Sequence, residues 1–269
     1  MSDKNQKFLK SAKKEIAENK IKFFVYLVLR FCVIISLALS LIRAEYENAF
    51  VCVLCFVLFL SPTFIEKRLK IDLPSTLEII ILLFVFSAEI LGEIHNYYAK
   101  VPYWDTILHA LNGFLFSAVG FSLLDILNRN SKIKFELSPL YLTLVAFCFS
   151  MTIGVLWEFF EFACDMLFNT DMQKDYILNT VSSVKLNPDG KNVPIVIKNV
   201  KDIALNGKSL GLGGYLDIGL IDTMKDLIVN FFGAAIFSVI GFFYIKNRGK
   251  GKIAKQFIPV IDEEKDDKK

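Results

Sequence analysis

Three short patterns of acidic and histidine residues carry the chemistry that this chain could do. Asp105 and His109 stand four residues apart; Glu158, Glu161 and Asp165 follow i, i+3, i+7; and Asp222, Asp226 and Asn230 recur at every fourth position. On a helix each spacing places its members on one face, about one turn apart. Glu89 and Glu93 form a further pair of this kind. Imidazole nitrogen combined with carboxylate oxygen suits a hard or borderline divalent cation such as Zn, Mn, Mg or Ca, one ion or two. The expected ligands are Asp105, His109, Glu158, Glu161, Asp222 and Asp226, supported by Glu89, Asp165 and Asn230. Glu158 and Glu161 are the catalytic candidates, because a carboxylate that is not a ligand can take a proton as general base.

So many carboxylates cannot all stay ionised without compensation. Lys100, Lys225 and Arg30 are the few cations available to them. Bound metal, shared protons or a water-filled vestibule are the three remedies. A plainer reading also applies to Asp105 and Asp222, which stand where helices would begin and where the helix dipole favours negative charge.

The elements that must position these groups are membrane helices. The 269 residues are 54% hydrophobic with 26 Phe, and the apolar residues fall in long runs rather than in the interrupted stripes of a soluble domain. Six stretches are long enough to approach or cross a bilayer: Phe23 to Ile42, Ala49 to Ile65, Leu77 to Gly92, Thr106 to Leu127, Leu140 to Leu167 and Leu220 to Ile245. The expected fold is an all-α polytopic bundle of about six transmembrane helices. A basic cytoplasmic segment (1–22) precedes the transmembrane domain (23–245), and a charged tail (246–269) follows it. With no cleavage site after its apolar run, the first stretch is expected to stay as an anchor.

Orientation follows from the basic residues, which concentrate in short cytoplasmic connections. Lys10, Lys13, Lys14, Lys20 and Lys22 precede the first stretch; Lys67, Arg68 and Lys70 follow the second; Arg129, Lys132 and Lys134 follow the fourth; Lys246, Arg248, Lys250 and Lys252 follow the sixth. Both termini are therefore expected in the cytoplasm, which puts the acidic and histidine groups at the extracytoplasmic ends, where they can share one site. The net charge of +3 excludes a nucleic-acid partner.

The one long connection, 169–219, is expected outside. Val181 to Leu186 and Val193 to Val200 flank Asn187-Pro188-Asp189-Gly190 and read as a β-hairpin. Gly207-Lys208-Ser209 lacks the earlier glycine that a phosphate-binding loop requires, since Asp202 stands there. Gly211, Gly213, Gly214 and Gly219 are expected to allow tight re-entry into the last helix. Cys32, Cys52, Cys55, Cys148 and Cys164 all lie in apolar surroundings and read as small hydrophobes.

Taken together, Asp105-Thr-Ile-Leu-His109-Ala-Leu-Asn-Gly113, Trp157-Glu158-Phe-Phe-Glu161 and Asp222-Thr-Met-Lys-Asp226 with Asn230 and Gly233 resemble the YjdF-like family of bacterial inner-membrane proteins. The resemblance covers the region from about Glu89 to Ile245 and implies a multi-pass protein of the bacterial inner membrane. A looser similarity links the same features to VanZ-like proteins, which also combine an Asp-x-x-x-His helix, a membrane Glu and a late Asp helix, and which are associated with glycopeptide resistance. The long connection departs from that compact pattern.

Three functions compete. The first is a metal-dependent enzyme acting on a lipid or lipid-linked envelope substrate. The second is an ion- or proton-coupled transporter or sensor, although the polar stripe thins toward the cytoplasmic side and no internal repeat is evident. The third is a non-catalytic scaffold that meets an envelope protein through the hairpin.

Overall fold

The computed structural model describes residues 19–69, 71–129, 137–247, 251 and 253–261. Lys10, Lys13, Lys14, Lys70, Lys132, Lys134, Arg248, Lys250, Lys252 and the tail from Asp262 lie outside the described residues. The chain divides into two compact units, one formed by Met1–Met151 with Asn230–Lys269 and the other by Thr152–Val229.

Most described residues are helical. The helices are α1 (Lys20–Ile42), α2 (Tyr46–Leu58), α3 (Ser61–Leu69), α4 (Ser75–Phe86), α5 (Tyr97–Lys100), α6 (Trp104–Arg129), α7 (Pro139–Phe168) and α8 (Leu220–Lys246). Among the described residues, five spans are long and apolar enough to cross a membrane: Lys20–Ile42, Tyr46–Arg68, Trp104–Asp125, Pro139–Phe168 and Leu220–Lys246. The second runs through α2 and α3, which are offset at Phe59 and Leu60 where Pro62 opens the next helix. The expected third stretch, Leu77 to Gly92, differs. It is helical, but α4 passes into a π-helix over Ser87–Ile94, so no single α-helix there reaches spanning length. The His95 N–H accordingly donates to the Ile90 carbonyl, five residues back, at 3.1 Å.

Within the first unit, one core gathers Leu29, Val33, Cys52, Cys55, Phe59, Leu82, Val85 and Ile90. Cys52 and Cys55 are fully buried there, as expected of small hydrophobes, whereas Cys148 is exposed on the apolar surface of α7. A second core joins Ala118, Phe121, Leu142, Ala146, Phe237 and Tyr244 to Ala254 and Ile258. The segment after α8 is thus more than a charged tail. A short 3₁₀ turn, Ala254–Gln256, leads Phe257 edge-on against Phe114 at 4.9 Å and Phe237 at 6.2 Å between ring centres. The chain then pairs β8 (Val260–Ile261) antiparallel with β1 (Ile71–Asp72).

In the first unit α6 and α8 run in backbone contact. A Cβ added to Gly113 would strike the carbonyl oxygen of Asn230, and one added to Gly233 would strike that of Ala110. These glycines serve close helix packing, the usual role of small residues in membrane bundles.

The second unit holds the long connection as three antiparallel pairs: β2 (Ile177–Leu178) with β7 (Tyr215–Leu216), β3 (Thr180–Ser183) with β4 (Ile195–Lys198), and β5 (Ala204–Leu205) with β6 (Lys208–Ser209). The expected hairpin is present, with its first strand giving way to a 3₁₀ turn at Val184–Leu186. The third pair turns at Asn206-Gly207, with φ of +52° and +79°, the Asn-Gly geometry that closes a two-residue hairpin.

Candidate functional site

The site residues are best built within each unit. In the first, Trp104 and Asp105 open α6, and Asp105 lies in its first turn, where the backbone dipole favours a carboxylate. One turn on, His109 is buried, and its Nε2 lies 3.5 Å from the Asp105 carboxylate. Two ligand atoms on one zinc-sized tetrahedral ion, each at about 2.0–2.1 Å, sit about 3.4 Å apart, so this pair has a spacing that one cation can bridge. Below it, Asn112 Nδ2 donates to Asn230 Oδ1 at 3.3 Å, and the Asn230 amide reaches the Met151 sulfur at 3.5 Å. The Ser150 hydroxyl donates to the Gly113 carbonyl at 2.7 Å, and the Ser117 and Ser238 hydroxyls meet at 3.1 Å. A polar ladder therefore leads down the α6–α8 seam and ends in the aromatic core around Phe121 and Phe237.

Glu89 and Glu93 fall on the π-helix rather than on an α-helical face. Glu89 is half-buried and Glu93 exposed. The freed Ser87 carbonyl is taken by the Trp104 indole at 3.3 Å, which ties this segment to the start of α6.

In the second unit Glu158 and Glu161 are both buried, with carboxylate oxygens within 4.8 Å of each other. The Trp157 indole donates to Glu161 Oε1 at 2.9 Å and fixes its orientation. Asp165 shares their stripe but serves the loop instead. Its carboxylate accepts from the Thr170 hydroxyl and the Met172 N–H at 2.7 Å and from the Gln173 N–H at 2.8 Å. Asp222 and Asp226 are buried on α8, and Asp222 accepts the Lys174 N–H at 2.7 Å. Asp217, which spacing alone does not single out, caps α8 by accepting the Ile221 N–H and also takes the Tyr176 N–H, both at 2.7 Å. At the loop's foot Asp175 is held above the usual carboxylate range by lost hydration, then by Asp171 and Asp217.

The three expected counter-cations are engaged elsewhere. Lys100 donates to the His95 carbonyl at 3.0 Å, Lys225 lies 3.6 Å from the centre of the Tyr176 ring, and Arg30 donates to the Tyr26 hydroxyl at 2.7 Å while covering its ring. An ion pair outside the expected set, the buried Glu78 with the half-buried Lys22, stands in the first unit. Its only sequence signal is an acidic residue in the first turn of a helix that follows Pro74.

Known proteins place this architecture. The chain is 28% identical over 133 residues to an uncharacterized protein of Thermotoga maritima, a match covering 49% of this chain and 67% of the relative. No solved structure matches. A family model described as predicted membrane protein, DUF2238, matches residues 25–247, which takes in most of α1, the four later spans and the loop, and the chain belongs to that family of membrane proteins.

Proposed function

We propose that this protein binds a divalent metal through Asp105, His109, Glu158, Glu161, Asp222 and Asp226, and acts as an enzyme on a lipid or lipid-linked substrate at the outer face of a bacterial inner membrane. The observation that carries the reading is the 3.5 Å approach of the buried His109 Nε2 to the half-buried Asp105 carboxylate. Two facts support it. Lys100, Lys225 and Arg30 are each committed to other partners. The donor set mixes one imidazole with carboxylates, the chemistry of Zn, Mn or Mg rather than of a soft metal.

A metal held there supplies Lewis acidity toward a carbonyl or phosphoryl oxygen. The chain's own residues supply the rest. Glu161, oriented by the Trp157 indole, is suited to hold a fixed position as ligand, and Glu158, one turn before it, is suited to move a proton as general base where the ion leaves it unliganded. The exposed aromatic surface beside them, with Phe159 and Phe160, suits an acyl chain.

The DUF2238 membership is consistent with the YjdF-like resemblance. The transporter reading has an observation against it. The end of the first unit remote from Asp105 and His109 packs Phe121, Phe237, Tyr244 and Phe257 into an aromatic cluster that narrows any path beyond the site. Elemental analysis of protein purified without chelator tests the proposal. About one bound ion per chain, lost in His109→Ala and Asp105→Asn, is the expected result. Equal loss in Glu158→Gln and Asp226→Asn would mark one shared set, and partial loss separate pairs. A metal-free wild-type protein that supports normal growth would overturn the reading.

A further inference from the structure

The long connection is segregated by charge. Its foot carries Asp171, Asp175 and Asp217 against Lys174 alone, whereas its two outer hairpins carry Lys185, Lys191, Lys198, Lys201 and Lys208 against Asp189 and Asp202 alone. Asp189 pairs with Lys191 at 3.1 Å, and Asp202 accepts from the Ser209 hydroxyl and from the Gly211 N–H at 2.8 Å. Lys185, Lys198, Lys201 and Lys208 are all exposed.

The β3–β4 ribbon is also segregated by polarity. Its register sets Val181 opposite Ile197 and Ser183 opposite Ile195 on one face, with Thr180 opposite Lys198 and Ser182 opposite Val196 on the other. Ile195 and Ile197 are 38% and 46% exposed, and Val193, Val184 and Leu186 continue that apolar surface around the turn. A two-stranded ribbon is marginal in water unless its apolar face is covered.

At the junction with α8, Ile218 is 84% exposed at φ +57°. A β-branched residue holding the left-handed conformation is strained, and water offers its side chain nothing in return. Apolar lipid at the helix entry does.

We propose that the outer hairpins lie on the bilayer that α7 and α8 cross, with Val181, Ile195 and Ile197 in the interface and the lysines on anionic headgroups. Both ends of the connection enter membrane helices, at Phe168 and Leu220, so the ribbon is tethered beside that surface. Apolar side chains flanked by lysine are the composition that binds anionic lipid. The proposal is independent of any metal.

Hydrogen exchange on the full-length protein in nanodiscs tests it. In discs containing anionic phosphatidylglycerol, amides of 181–200 should exchange on the order of tenfold more slowly than in neutral phosphatidylcholine discs, and added salt should remove the difference. Lys185→Glu/Lys198→Glu/Lys201→Glu should abolish it while leaving α6 exchange unchanged, which shows that the variant is folded. Equal exchange in both lipids would overturn the proposal. So would protection that appears only with two copies per disc, which would assign the ribbon to self-association.

Discussion

Asn112 and Asn230 join their side-chain amides across the α6–α8 seam at 3.3 Å, although 118 residues separate them in sequence. At the next residue of α6, Gly113 makes its close approach to the Asn230 carbonyl, so the polar contact and the backbone contact fix the same helix crossing. Without water to compete, such interhelical amide bonds hold register at a worth of about 0.6 kcal/mol on average.

The seam is therefore intolerant of bulk. Gly233→Leu should destabilise the protein by about 1–3 kcal/mol or more, because the Ala110 carbonyl stands where the new side chain must go. Ile236→Leu, on an exposed part of the same helix, should cost almost nothing. Thermal unfolding in a mild detergent measures both.

Trp157 orients Glu161 without adding charge. Trp157→Phe keeps the apolar surface and removes the indole N–H, and metal affinity should fall about 10- to 100-fold, the usual effect of losing a partner that orients a ligand. Competition with a fluorescent chelator reads that change, and unchanged affinity would detach Glu161 from the ligand set.

Much of this arrangement was legible in the residues themselves. Long apolar runs mark a membrane helix with little ambiguity, and the Asn187-Pro188-Asp189-Gly190 turn between β-branched segments marks its hairpin. The π-helix at Ser87–Ile94 was not legible, because eight residues are too few for an apolar pattern to separate one helical period from another. Asp165 and Asp222 carry the same spacing signals as their neighbours, yet loop amides at Met172, Gln173 and Lys174 claim their oxygens, and no helical periodicity reports on a loop. Asn206-Gly207 carries the tight-hairpin signal, and Gly207-Lys208-Ser209 fails the phosphate-binding pattern for want of a glycine at Asp202.

Phe257 fills a slot between Phe114 and Phe237. Phe257→Ala should cost about 3 kcal/mol, the lower end for aromatic truncation because the ring is only partly buried. Faster hydrogen exchange around Phe121 and Phe237, with the outer hairpins unaffected, is the expected signature.

Asp202 provides a pH response in the loop. The Ser209 hydroxyl, with help from the Ile203, Gly211 and Leu212 amides, holds its carboxyl below the usual carboxylate range. A folded-state pKa below the unfolded one stabilises the turn above the unfolded value, and this contribution is lost as pH falls through the folded one. Asp175 has the opposite sign: its raised folded pKa imposes a penalty above that pKa which is relieved on acidification. The Gly211 amide resonance, followed with pH, should shift with the low Asp202 titration and remain flat in Asp202→Asn.

The antiparallel pairing of Ile71–Asp72 with Val260–Ile261 sets a schedule for biosynthesis. The first unit draws on residues that both precede and follow the 169–219 loop, so its interior stays incomplete until the segment after α8 has been made. Its aromatic slot closes only once Phe257 has left the ribosome. Until then the nascent protein exposes an unfilled apolar groove among its helices, and a transcript truncated shortly after α8 should yield a chain that inserts fully yet is recognised as unfinished by membrane quality control.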